Sequence, residues 1–155
     1  MSCIELPQQM SAAATSKQLS EATYPTFLRT VPSDEIQSKT IIWLCTQFGW
    51  DSIALFYHGD PYGVYLVNAI IAESLKEDIN VQSVSYFQTD SGDDTDTLQS
   101  IEKAIERLQS LDVYICVLIP EISTTFDVMY MLYMEGMLDF PYFWSVPVFI
   151  HNVDH

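Results

Sequence analysis

Positive charge is scarce in this sequence. Six Lys and Arg stand against 21 Asp and Glu in 155 residues, for a formal net charge of −15. A nucleic-acid backbone is gripped by a stripe of cations, and this balance argues against one. It argues equally against docking on anionic lipid. The plain consequence of the acidity is solubility. Glycine is scarce as well, with five residues. None falls in a G-x-G-x-x-G or Walker arrangement, which argues against a glycine-rich phosphate cradle. Gly49, Gly59 and Gly63 sit where turns or helix ends account for them. The cysteines are Cys3, Cys45 and Cys116. An odd, sparse set is no disulfide framework, and Cys45 and Cys116 lie in apolar stretches, as buried structural thiols do. His58, His151 and His155 have no metal-ligand spacing with one another or with a cysteine, so neither a metal nor a cofactor is expected. Long hydrophobic runs are missing too. Val113 to Pro120 has the length of a strand and cannot span a bilayer. Met1 to Met10 has no basic n-region and no apolar h-region, and does not read as a signal peptide.

Hydrophobic side chains, at 48%, are enough for one domain with a real core. Ser33 opens a helical pattern with Asp34 and Glu35 in its first turn, where the helix dipole favours negative charge. Ile36, Thr40, Leu44 and Phe48 recur at spacing four, with Ile41 and Cys45 beside them, and Gly49 supplies a stop. Ile53 to Tyr57 is apolar at successive positions, the pattern of a strand covered on both faces in a parallel sheet. In the turn that follows, Asp60 suits an N-cap and Pro61 the first helical position. The next helix runs to about Glu77, with Val64, Val67, Ile71 and Leu75 as its expected inner stripe. A strand is predicted over Val81 to Phe87, and a polar loop over Thr89 to Thr97. The amphipathic helix after it carries Leu98, Ile101, Ile105, Leu108 and Leu111 on one face and Glu102, Lys103, Glu106 and Arg107 on the other. Val113 to Ile119 is a third strand, Ile122 to Met137 a fourth helix, and Phe143 to Ile150 a last strand whose Pro147 points to an edge or a break. Alternating strands and helices make a doubly wound α/β layer, with a mainly parallel sheet and helices on both faces. Ser11 to Thr26 lacks a period and reads as a long loop, of a kind often functional.

No catalytic constellation stands out. His58 falls at the expected carboxyl edge of the sheet, where α/β proteins bind ligands, though a surface-loop histidine is the plainer reading. The acidic run from Thr89 to Asp96 invites calcium. Counted from Asp90, however, the twelfth position is Ile101, where an EF-hand needs a bidentate Glu. Met129, Met131, Met134 and Met137, interleaved with Tyr130 and Tyr133, read as a buried helix packed with Met and Tyr. No Ser-His-acid or Cys-His arrangement can be argued, and the chain does not read as an enzyme.

Three segments stand out together. They are Ser11-Ala12-Ala13-Ala14-Thr15-Ser16, Tyr24-Pro25-Thr26-Phe27-Leu28-Arg29-Thr30-Val31-Pro32-Ser33-Asp34, and Phe48-Gly49-Trp50 followed by Asp60-Pro61-Tyr62-Gly63. With Tyr133-Met134-Glu135-Gly136-Met137 and Tyr142-Phe143-Trp144, their order resembles the ligand-binding region of class C G-protein-coupled receptors, such as the type B GABA and metabotropic glutamate receptors. These share the type I periplasmic-binding-protein fold. The resemblance covers about Leu6 to Trp144. It implies two α/β lobes closing on a small, amino-acid-like ligand, with residues 1–32 as a first-lobe remnant and ligand loop and residues 33–155 as the second lobe.

Residue by residue, it implies that Ala13, Ala14 and Thr15 hold the ligand's α-carboxylate and α-amino group, that Asp34 faces its ammonium, and that Tyr62 closes over it. An ammonium favours a carboxylate and a π-face, and a carboxylate favours hydroxyl and N–H donors. Each residue also has a plainer role: Asp34 at a helix dipole, Tyr62 packing at the lobe edge, Thr15 as a loop hydroxyl. The resemblance further implies a membrane receptor with its ligand region on the extracellular side. Its partners would be the ligand, the rest of the first lobe, a transmembrane region, and a second subunit in a homo- or heterodimer. Other readings stay open: a soluble periplasmic-type amino-acid-binding protein, a non-functional receptor fragment, or an enzyme on a flavodoxin-like or response-regulator-like fold.

Overall fold

A strand that is apolar at every position has to be covered on both faces, and the architecture follows from that requirement. The computed structural model describes residues 9–11, 24–30, 33–86 and 94–146, apart from the side chains of Asp34 and Asp94. In chain order the elements are β1 (Gln9–Ser11), β2 (Phe27–Arg29), α1 (Asp34–Phe48), β3 (Ser52–His58), α2 (Pro61–Ser74), β4 (Asn80–Tyr86), α3 (Asp94–Gln109), β5 (Ile115–Ile119), α4 (Thr125–Met134) and β6 (Phe143–Ser145). β1 and β2 pair in parallel as a sheet of their own. The other four strands form one parallel sheet in the order β4-β3-β5-β6.

The two-residue period of the strands divides the core in two. Ile53 and Leu55 of β3, with Val117 and Ile119 of β5, pack against Ile41, Ile42 and Cys45 of α1 and Leu66, Val67 and Ile70 of α2. Their sequence neighbours Ala54, Phe56, Cys116 and Leu118 point the other way, onto Ile101, Ala104, Ile105 and Leu108 of α3 and Val128 and Leu132 of α4. The doubly wound α/β fold expected from the sequence is the one observed. Gly49 ends α1 as expected. It adopts φ 66°, and the Trp50 amide beyond it donates to the Cys45 carbonyl at 2.9 Å, which closes the last turn through a left-handed residue.

Several expectations need correction. In α1 the residues named beside the spacing-four row, Ile41 and Cys45, are buried, and the row Ile36, Thr40, Leu44, Phe48 lies mostly outward. Ile36 and Phe48 are exposed, and the buried residues are Ser38, Ile41, Ile42 and Cys45. Ser38 can be buried because its hydroxyl donates to the Glu35 carbonyl at 3.0 Å. In α2 the inner face is Gly63, Leu66, Val67, Ile70 and Ser74, so Val64 and Leu75 of the expected stripe are exposed. Both helices carry apolar residues on more than one side, and periodicity alone cannot rank such sides. α3 has a charged outer face, and there Ile101, Ile105 and Leu108 are buried as expected. α4 is shorter than Ile122 to Met137, and it is not wrapped in protein: Tyr130, Tyr133 and Met134 are exposed. The last strand is observed over Phe143–Ser145 at the sheet edge, and Pro147 lies outside the described residues. The long loop expected from Ser11 to Thr26 begins and ends beside the β1–β2 pair, which the sequence reading did not anticipate.

Cys45 and Cys116 are buried free thiols. Burial raises both, and pushes Cys116 from 9.0 up to about 12. A thiol harder to ionise in the folded state than in the unfolded chain stabilises the fold fully below pH 9, and that contribution is lost as pH rises toward 12. Unfolding free energy measured in urea is therefore expected to fall through this window, with Cys116 contributing no more than about 1.4 kcal/mol per pH unit. In Cys116→Ala the decline should be shallower.

Candidate functional site

An open parallel sheet binds ligands beyond the carboxyl ends of its strands, where successive connections leave for opposite faces. Here that place lies between β3 and β5. β3 leads into α2 on one face, while β5 leads into α4 on the other. Two loops meet the crevice, 58–60 after β3 and 120–124 after β5.

The first loop is built by Asp60-Pro61-Tyr62-Gly63. Asp60 caps α2 from an extended backbone, its carboxylate accepting the Gly63 amide at 2.7 Å, and Pro61 begins the helix. Both roles were expected from the sequence. Gly63 has a further role. A Cβ there would stand 2.1 Å from the His58 carbonyl oxygen and 3.0 Å from Asp60 Oδ1. The helix therefore starts directly against the end of its own strand. His58 and Asp60 face each other with Nδ1 and Oδ1 3.7 Å apart, too far for a direct hydrogen bond. The His58 ring lies 5.3 Å from that of Tyr86, and the Gly59 amide donates to the Tyr86 carbonyl at 2.8 Å.

Tyr86, at the end of β4, joins the two loops. Its ring is fully buried and stacks on Phe56 at 5.3 Å. The hydroxyl lies 3.1 Å from Thr124 Oγ1 and accepts the Glu121 amide at 3.3 Å. Thr124 Oγ1 donates its proton to the Glu121 carbonyl at 3.2 Å, which leaves Tyr86 as the donor to Thr124. Burial pushes the phenol above its ordinary range, against the lowering effect of the Thr124 and Glu121 hydrogen bonds. The group stays neutral and acts as a tie. The Glu121 carboxylate accepts the Ser123 amide at 2.7 Å and the Ser123 hydroxyl, so the second loop is fixed by its own side chains. Among the described residues, no group of three or more His, Cys, Asp or Glu could hold a metal ion.

Of the residues singled out from the sequence, the structure places Tyr62 at this edge. Its ring is half-buried against the α1–α2 core, with the hydroxyl oxygen turned out of solvent. Asp34 is the first residue of α1, and its side chain is not described. Ala13, Ala14 and Thr15 lie outside the described residues, as do His151, His155 and the acidic run before Asp94. Sequence reasoning missed Tyr86, Glu121 and Thr124. The usable signals were a tyrosine ending a strand in phase with its buried Val84, whose hydroxyl needs a partner, and a Glu-x-Ser-Thr turn directly after the next strand.

Two substitutions test this construction. Gly63→Ala forces a methyl group against backbone and is expected to lower unfolding free energy by about 1–3 kcal/mol in urea titration. Tyr86→Phe removes the tie between the loops and should cost about 1 kcal/mol.

Residues 5–147 match the family described as receptor family ligand binding region. The chain is 35% identical to human taste receptor type 1 member 1 over 92 residues, 57% of this chain and 11% of the relative. It is 30% identical to the probable metabotropic glutamate receptor mgl-1 of Caenorhabditis elegans over 102 residues, 65% of this chain and 10% of the relative. Rat taste receptor type 1 member 3 is 39% identical over 59 residues, 37% of this chain and 7% of the relative. The chain thus spans about a tenth of the length of these relatives.

Proposed function

The chain belongs to the receptor family ligand-binding region, and from that premise we propose that it forms the second lobe, with part of the first, of the extracellular ligand-binding region of a membrane receptor. It binds an amino-acid-like small molecule between two lobes, and closure of the lobes is the signal. The binding free energy available for signalling is the difference in affinity between closed and open forms. No covalent chemistry takes part.

One observation carries this reading: the carboxyl edge of β3 is built rigidly around Asp60-Pro61-Tyr62-Gly63 at the point where the sheet connections diverge. The topology supports the role of Asp34. Residues 49–51 join the end of α1 to the start of β3, and the start of α2 follows the end of β3. Two helices laid antiparallel to one strand, on one face, begin at the same edge. Asp34 and Tyr62 then flank the ammonium, the first as counter-charge and the second as π-face, while Ala13, Ala14 and Thr15 supply amides and a hydroxyl to the carboxylate. The separate β1–β2 sheet on either side of that loop fits a boundary between first-lobe residues 1–32 and a second lobe beginning at residue 33. In this proposal the membrane segment belongs to the rest of the receptor; no helix among the described residues is long and apolar enough to cross a membrane. A homo- or heterodimer of such receptors is part of the same proposal.

Titration calorimetry of the complete two-lobed domain with the individual L-amino acids tests the reading. At least one should bind. Tyr62→Ala should weaken it roughly fivefold, the ~1 kcal/mol of a cation–π contact, and Tyr62→Phe should keep the affinity. Unchanged affinity in Tyr62→Ala would remove that residue from the site. Failure of every amino acid to bind would remove the ligand class.

A further inference from the structure

α4 is apolar apart from Thr125 and Asp127 in its first turn, and four of its ten residues are exposed. Val128 and Leu132 are buried, whereas Phe126 is 78% exposed, Tyr130 55%, Tyr133 66% and Met134 63%. A helix of this kind is ordinarily enclosed by protein. The Phe126 and Tyr130 rings stack on each other at 6.4 Å, and Met134 continues their row at spacing four. Met134 and Met131 then lead into a cavity of about 210 Å³ between α3 and α4, whose polar lining includes Glu102, Glu106 and Glu135. The cavity shares Glu102 and Met131 with a second one of about 350 Å³ that reaches Asp96. Gln109 Nε2 bridges the two helices to Glu135 at 3.4 Å. Lys103 and Arg107, the cations of α3, line neither cavity.

We propose that this α3–α4 face docks a cationic amphipathic helix of another protein, with its apolar side on Tyr130, Met131 and Met134 and its Lys or Arg residues over Glu102, Glu106 and Glu135. An apolar floor between carboxylates, beside exposed aromatic rings, suits aliphatic side chains that end in a cation. Charge selects the occupant. A second copy of this chain would set the same acidic rim against itself, and like charges facing each other oppose docking. Six basic residues in 155 also leave the chain without a cationic helix of its own. The face belongs to the opposite side of the sheet from α1 and α2, so the proposal does not depend on any ligand at the carboxyl edge.

A synthetic peptide of about 18 residues, made of Leu at helical spacing and Lys elsewhere, is titrated against the whole protein by fluorescence anisotropy. It is expected to bind, and to bind more weakly at about 500 mM than at about 50 mM NaCl. The Tyr130→Ser, Met134→Ser pair should weaken binding at least ~10-fold. The Glu102→Gln, Glu135→Gln pair should weaken it ~5-fold or more and flatten the salt dependence. An Asp51→Asn, Glu77→Gln pair, away from the groove, should bind as the parent does. All six replaced residues are exposed, which keeps loss of folding out of the comparison. Four results overturn the proposal: no binding; equal weakening in the Asp51, Glu77 pair, which would mean diffuse acidity; equal binding of the same peptide with Glu in place of Lys, which would mean plain apolar adhesion; and a dimer in sedimentation that the Tyr130, Met134 pair dissociates, which would make a second copy the occupant.

Discussion

The His58 carbonyl oxygen and the α-carbon of Gly63 approach so closely that no side chain can stand between them. That contact fixes where α2 begins relative to the end of β3. The Asp60 cap closes the same turn from the other side, and the Gly59 amide ties it to β4 through the Tyr86 carbonyl. Tyr86 then carries the constraint across to the loop after β5. Three strand ends are thereby held in one arrangement by backbone contacts and one buried phenol. An edge built this way keeps its geometry without a bound ligand, and for the proposed binding role the ordering costs that would weaken binding are met in folding instead.

Much of the fold was legible because the strands are unambiguous. Residues 53–57 and 115–119 are apolar without alternation, and only a sheet covered on both faces accommodates that. The caps were legible for local reasons: Asp60-Pro61 and Gly49 act through their own backbones. The inner faces of α1 and α2 were not, because apolar residues lie on several sides and tertiary packing decides among them. α3 was readable where those two were not, since its charges mark the solvent side.

The candidate site was legible only in part. Asp60 and Gly63 disclose their roles through local geometry, while Tyr62 is half-buried against the α1–α2 core and its part in ligand binding rests on the resemblance. Tyr86, Glu121 and Thr124 are brought together across 35 and 38 residues of chain, a separation that no local pattern encodes. Ala13, Ala14 and Thr15 rest on the resemblance alone, and the outward row of α4 was concealed by composition: Met and Tyr in a helix look the same whether they face a core or a partner.

β4 closes one side of the four-stranded sheet, and among the described residues no strand lies beyond it. All seven of its residues pair with β3 on one side, and the backbone groups of its outer side could act as a template for fibril growth. The strand is nevertheless poor material for a dry zipper, because Asn80, Gln82, Ser83 and Ser85 interrupt its hydrophobic positions. The strongly negative charge of the whole molecule keeps copies apart at neutral pH. Acidification removes that repulsion without altering the strand, so colloidal stability in this protein is governed by protonation of its carboxylates more than by its edge.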